Sequence, residues 1–353
     1  MESFTQRAFP FTFDTQEYLK LDGDSIRKQS VVKVLVTGAS GFVGSALSRY
    51  LSLSESYDVV GAVRLGAKSL SEFPMESRYC DLSDDDASNV NFEDIDVVIH
   101  TAARVHQMDD RSEDPLEEFM KINCDGTLNL AKQAVKAGVK RFIFLSSIKV
   151  NGEKTQPGKS FRYDDLHKSE DHYGKSKSEA ELGLLKIASE SKLEVCIIRP
   201  PLVYGPGVKA NFSALLKLAS KNFPVPFGSI QNKKSFVAID NLVSLIVTCI
   251  DHPNAINQVF LVSDDQDIST SKLYSIMTNA YGKKARLIKV NTLLLKRAFG
   301  LIGKGPMIDR LCDDLRVDIE HTKVSLDWTP VVSTDDGVKL CVFPVNSNKH
   351  KLV

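Results

Sequence analysis

Tyr173 and Lys177 stand four positions apart in the run HYGKSK, and Leu182 and Leu185 extend it at helical spacing. Phenol and ammonium therefore share one helix face. A phenol with a pKa of about 10 is almost fully protonated at neutral pH and makes a poor base. An ammonium beside it, joined by a second positive charge, lowers that value by roughly 3 units, about 4 kcal/mol in favour of the phenolate. Tyr173 can then accept a proton from an alcohol. Taken alone, the same two residues equally describe a solvated helix face. A third group comes from RFIFLSS, Arg141 to Ser147, which reads as a buried strand with two hydroxyls at its carboxyl end. A serine there is a turn former by default. What raises Ser147 above that default is the pair Tyr173 and Lys177 downstream.

The element that must position these groups is VVKVLVTGASGFVG, Val31 to Gly44. Its Val-rich half reads as a buried parallel strand, and its glycines fall where a strand turns sharply into a helix. Gly38 suits the tight turn, Gly41 lets backbone approach a pyrophosphate, and Gly44 lets helix pack on strand. The phosphates would rest on the free N–H groups at the helix N-terminus. Leu47 and Leu51 continue at helical spacing, so the pattern predicts a dinucleotide fold and supplies the second positive charge, a nicotinamide.

A second strand, YDVVGAVR from Tyr57 to Arg64, ends without the acidic residue that binds ribose hydroxyls in NAD proteins. Arg64 suits a 2′-phosphate, which leaves NADP open beside NAD; it equally suits stacking on adenine or facing solvent. Asp81, followed by Leu82, is placed to meet the adenine amine or to cap the next helix. The strand VVIHTAA, Val97 to Ala103, ends in Ala102 and Ala103, small residues that leave room for a ligand where the crevice of a parallel sheet opens. Glu118 to Ala137 has helical spacing, and Asn123 within it reads either as a bonded core amide or as a bridge from helix to active site.

The whole chain sets limits on function. At 353 residues it can form one large domain or two smaller ones sharing a cleft. Lys plus Arg number 45, as do Asp plus Glu, so no net field draws it to nucleic acid or an anionic membrane, and any anion site must be local. Six cysteines are scattered without a CxxC pair or metal-ligand spacing, which predicts unpaired thiols in a reducing cytoplasm and no metal. Residues 1–30 lack an uninterrupted apolar run and read as an extension to the fold. Asn241 to Ile250 is too short to span a bilayer, and Lys296 and Arg297 interrupt Leu293 to Ile302, which reads as a packed amphipathic helix.

By motif the chain resembles the extended short-chain dehydrogenase/reductase superfamily, in its branch of nucleotide-sugar epimerases, dehydratases and reductases. The motifs are TGASGFVG (Thr37 to Gly44), HTAA (His100 to Ala103), LSS ending at Ser147, YGKSK (Tyr173 to Lys177), RPPLVYGPG (Arg199 to Gly207) and SFVAIDNLV (Ser235 to Val243). The resemblance covers nearly everything from Val31 to Val342. It implies an α/β fold, a doubly wound parallel (Rossmann) sheet over 31–200 with a smaller substrate-binding region over 201–345, of which 235–262 returns to the sheet. It implies that Tyr173 transfers the proton, Lys177 lowers its pKa and binds nicotinamide ribose, and Ser147 bonds the reacting oxygen. Gly38, Ser40, Gly41, Phe42, Val43 and Gly44 would hold the cofactor, with Arg64, Asp81, Leu82, Ala102, Ala103 and Asn123.

Lys209, Asn211 and Phe212, just past the Gly205-Pro206-Gly207 loop, would line the substrate's nucleotide, and Lys234 and Arg310 its diphosphate. Surface charge is the plain alternative for Lys209 and Arg310. The implied activity is a UDP-glucose or UDP-N-acetylglucosamine 4-epimerase of surface-polysaccharide synthesis; the runner-up, favoured by Arg64, is a reductase of nucleotide-linked 4-keto sugars. A 4,6-dehydratase is disfavoured because Ile148 and Lys149 follow Ser147 where that class carries an acidic pair. The family habit adds a homodimer, through the helix of Glu118 to Ala137 and the one bearing Tyr173.

Overall fold

A strand buried on both faces sends alternate side chains into opposite layers. In the computed structural model, which describes residues 31–64, 75–83, 90–105 and 114–344, β1 (Val32–Thr37) sends Val34 and Val36 into one core and Leu35 into another. The extension over residues 1–30 lies outside the described residues. β2 (Tyr57–Val63), β3 (Glu76–Tyr79), β4 (Val97–His100), β5 (Arg141–Leu145), β6 (Glu194–Arg199) and β9 (Gln258–Leu261) complete a seven-stranded sheet. Its order is β3-β2-β1-β4-β5-β6-β9, and every pairing is parallel. Helices α1 (Phe42–Ser52) and α6 (Ile239–Asp251) cover one face; α3 (Gly126–Ala137) and α4 (His172–Glu190) cover the other. The sheet is therefore doubly wound, and its order reverses between β1 and β4, where a crevice opens at the carboxyl edge.

A second, smaller core gathers behind β7 (Leu202–Tyr204) and β8 (Phe236–Ala238), which pair in parallel outside the main sheet. It is built from α5 (Ala210–Lys221), α7 (Thr270–Ala280) and α11 (Thr334–Val342), with α8 (Thr292–Leu301) and α9 (Gly305–Cys312) each contributing one fully buried apolar residue, Leu295 and Ile308. The last strand, β9, lies beside β6 at the edge of the main sheet.

One expectation about an element is corrected. The helix expected over Glu118 to Ala137 is instead α2 (Pro115–Met120), a π-turn over Lys121–Asp125 and then α3. Gly126 explains the tight seat of that junction, since a Cβ there would lie 2.6 Å from the Leu82 carbonyl oxygen. The segment Leu293 to Ile302 is a packed amphipathic helix as expected: α8 sets Leu295 and Phe299 on the second core and leaves Leu293, Leu294 and Leu301 exposed.

Candidate active site

Gly38 is held at φ +69, and a Cβ on it would lie 2.8 Å from the Ala102 backbone, so the turn after β1 is pressed against the segment leaving β4. Gly44 has less room still, with a Cβ meeting the Gly38 oxygen at 2.2 Å. Thr101 Oγ1 donates to the Thr37 carbonyl at 2.6 Å and fixes the two strand ends. At Gly41 an added Cβ would approach only the Gly38 oxygen, at 3.1 Å, so this side is open. Helix α1 has no side-chain cap and no acidic residue in its first turn, which leaves its leading N–H groups for an anion. These donors, together with the small Ala102 and Ala103, fit the pyrophosphate end of a dinucleotide.

The remaining expected cofactor residues fall in different surroundings. Ser40 is exposed, and Phe42 and Val43 are half-buried at the start of α1. Arg64 is exposed just beyond β2, near enough to Asp81 to help keep its carboxyl below the usual range; bonds from the Ser83 N–H and hydroxyl do most of that work. Leu82 is packed in the core against Gly126. Asn123, fully buried in the π-turn, is a fully bonded amide. Its oxygen accepts from Arg104 N at 2.7 Å, and its nitrogen donates to Arg104 O at 3.0 Å and to Ser176 Oγ at 3.1 Å. It thereby ties the segment after β4 to the helix bearing Tyr173 and Lys177. A π-turn displaces one residue from the helical ladder and is a common device for aiming a side chain at a site.

Ser147, Tyr173 and Lys177 are drawn together through the neighbours of Ser147. Lys177 Nζ donates to the Leu145 carbonyl at 2.9 Å and lies 4.3 Å from the centre of the Phe144 ring. On the far side of Ser147, Lys149 bonds Asp171, which caps α4 by accepting from Gly174 N at 2.7 Å. A Cβ on Gly174 would stand 2.9 Å from Lys149 O, so the turn after Ser147 is in close contact with the first turn of α4. Tyr173 sits in that turn with its ring edge on Phe119. No described residue bonds its hydroxyl.

The lowered phenol is expected of the lysine and a nicotinamide together; in the protein alone both groups shift toward their neutral forms. Burial, aided by Asp171, pushes Tyr173 up to about 12, and burial brings Lys177 down to about 7 against the opposing pull of Glu181. Desolvation drives each group toward its neutral form, and a lysine that is half neutral lends little field to its neighbour.

Behind the trio lies a buried network that sequence reasoning missed. Glu181 receives a two-pronged bond from Arg199 at 2.6 to 3.1 Å and accepts from Ser146, the residue before Ser147. Arg199 also reaches Asn151 at 3.0 Å and His167 Nε2 at 2.8 Å, and His167 Nδ1 meets Ser178 Oγ at 2.7 Å. With Arg199 donating to Nε2, the imidazole is neutral with its proton on Nδ1, in keeping with a pKa lowered by burial. His100, also missed, is fully buried between Thr37 and Thr127 at 2.6 and 2.9 Å and is held neutral by burial. The signal for Glu181 was present, since it follows Lys177 by one turn on the same face.

On the substrate side the expected residues divide. Lys209 and Asn211 are exposed at the start of α5. Phe212 is corrected to a packing residue, 3 % exposed and stacked 4.9 Å from Tyr204, because an aromatic ring there fills the second core. Lys234 and Arg310 are brought together: the Lys234 ammonium, lowered by burial, bonds the Arg310 carbonyl at the end of α9, while the Arg310 side chain is exposed.

Comparison with known proteins agrees with this geometry. The pattern of the NAD dependent epimerase/dehydratase family matches residues 34–263. A UDP-glucose 4-epimerase of Vibrio cholerae is 49% identical over 307 residues, 87% of this chain and 93% of that protein. An N-acetyl-α-D-glucosaminyl-diphospho-ditrans,octacis-undecaprenol 4-epimerase of Escherichia coli O157:H7 is 28% identical, covering 76% of this chain and 77% of its own. Among solved structures, UDP-glucose 4-epimerase of Thermotoga maritima with UDP-glucose superposes with a TM-score of 0.71 at 22% identity, covering 88% of this chain and 97% of that one.

Proposed function

Because this chain belongs to the NAD-dependent epimerase/dehydratase family, we propose that it inverts C4 of a UDP-linked hexose, UDP-glucose or UDP-N-acetylglucosamine, through a transient 4-keto sugar. The observation that supports this reading is that Lys177 bonds the Leu145 carbonyl while the turn after Ser147 packs on the first turn of the helix bearing Tyr173. The V. cholerae relative, similar over nearly its whole length, bears the corresponding name.

NAD, when bound, supplies the acceptor and donor of the C4 hydride. Tyr173 takes the C4 hydroxyl proton as that hydrogen leaves and returns it after the keto sugar has presented its other face. Ser147 bonds the C4 oxygen throughout. Lys177, seated on Leu145 O, orients toward Tyr173 and the cofactor's ribose. Glu181 and Arg199 hold the floor beneath Ser146 and Lys177. Lys209 receives the nucleotide and Lys234 and Arg310 its diphosphate, so 31–200 serves mainly the cofactor and 201–345 mainly the UDP-sugar. Six unpaired thiols suit a cytoplasmic reaction. Exposed Leu182 on α4 suits a homodimer through α3 and α4. The E. coli relative's name suits a place in surface-polysaccharide synthesis.

The test is UDP-glucose or UDP-N-acetylglucosamine carrying deuterium at C4, mixed with purified protein and no added cofactor, followed by NMR. A 4-epimer that keeps its deuterium supports the reading. Turnover only with a 4-keto sugar and added NADPH would make the protein a reductase, and no turnover in either case would remove it from this chemistry.

A further inference from the structure

A chain with equal numbers of acidic and basic residues can still carry a one-signed surface segment, and this one does between Tyr281 and Asp309. That stretch contains no Asp or Glu, while it carries Lys283, Lys284, Arg286, Lys289, Arg297 and Lys304. Among the described residues none of these six forms an ion pair; Lys296, also in the stretch, is held by Asp309 and Asp313. The same stretch forms the α8–α9 hairpin, whose outer side is apolar. Leu294, Ala298 and Leu301 recur at helical spacing along one face of α8, and Ile302 extends that face. Leu293 is 68% exposed, Leu294 59%, Leu301 89% and Ile302 63%. Large aliphatic side chains so fully in water, on a hairpin that also carries the exposed Arg297 and Lys304, are not the surface of a helix that only closes a core.

We propose that the α8–α9 hairpin docks this protein on an anionic phospholipid surface, with Leu294, Leu301 and Ile302 entering the headgroup boundary and Arg297 and Lys304 meeting lipid phosphates. The combination of a leucine-rich ridge with Arg297 and Lys304 beside it, the hairpin's one acidic side chain, Asp309, being held by Lys296, is what an interfacial helix requires. Among the described residues no helix is long and apolar enough to cross a membrane, so the contact is peripheral. The Lys234 bond to Arg310 O joins the end of α9 to the diphosphate side of the site, so docking would set that side of the site near the lipid surface.

The experiment is vesicle flotation with the full chain, comparing equal mixtures of phosphatidylglycerol and phosphatidylcholine with pure phosphatidylcholine. Binding is expected only to the anionic vesicles and should weaken in high salt. The double variants Leu301→Ser/Ile302→Ser and Arg297→Glu/Lys304→Glu should each reduce bound protein roughly tenfold or more. Their melting temperature and turnover of soluble UDP-sugar should stay unchanged, because all four side chains are exposed and outside the site. Absence of binding to anionic vesicles, or full binding by both variants, overturns the proposal. So does a fall in sedimentation mass in the Leu301/Ile302 variant without vesicle binding by the wild type, which would assign this face to a second copy of the chain.

Discussion

The β1–α1 turn and the α8–α9 hairpin are both punctuated by three glycines, and the glycines are there for opposite reasons. At the first, added Cβ atoms at Gly38 and Gly44 would strike backbone at 2.8 and 2.2 Å. At the second, Gly300 and Gly303 have nothing within 4 Å, and Gly305 meets only the Gly300 Cα at 3.9 Å. One turn is closed by backbone on backbone and has little freedom to move; the other is an open tip shaped by its own chain and facing solvent. A rigid frame of N–H groups suits a resident ligand held in one pose, whereas an open amphipathic tip suits a partner without a fixed shape.

Substitutions can break that contrast, and the closed side should respond most. Removing a carboxylate from the buried floor leaves Arg199 without its counter-ion, so Glu181→Ala should destabilise the protein by about 3–5 kcal/mol in urea unfolding. A loss below about 1 kcal/mol would mean that water satisfies Arg199. Gly44→Ala forces backbone to shift and should cost about 1–3 kcal/mol, with cofactor retention falling alongside; unaltered stability and cofactor content would show that the turn can relax.

Lys177 makes a pH-dependent contribution whose sign follows from its lowered value. Between its native pKa of about 7 and the ordinary value of 10.5, the unfolded chain holds a proton that the native protein lacks. Stability from this group therefore rises with pH across that window, by up to about 1.4 kcal/mol per pH unit. Urea unfolding of the cofactor-free wild type and Lys177→Met at pH 7 and pH 9 isolates it: the wild type should gain relative to the variant, and parallel behaviour would deny the shift. On the open side, Gly300→Ala has room and lies within α8, so it should stabilise by about 0.5–1 kcal/mol. A clear loss there would mean that the hairpin is as crowded as the β1–α1 turn.

What was legible in the sequence follows the same division. Val34, Leu35, Val36 and the glycines answer constraints set by their immediate neighbours in the chain, so spacing alone located the sheet edge and the cradle. Tyr173 and Lys177 were legible because a helix places residues four apart side by side. Arg199 and His167 meet Glu181 only after the chain has folded back, and no local pattern announces that. Phe212 was misread because an aromatic after a loop suits a ligand face and a core equally well, and burial decides between them only in three dimensions. The Glu118 to Ala137 helix hid its π-turn because a register shift of one residue leaves the apolar periodicity almost intact.

The proposed chemistry turns on Tyr173 moving the proton. Turnover of UDP-glucose by Tyr173→Phe, in protein whose melting temperature and bound cofactor match the wild type, tests it most directly. A fall of about 10²-fold or more is expected, as loss of a general base entails; near-normal turnover would take Tyr173 out of that role.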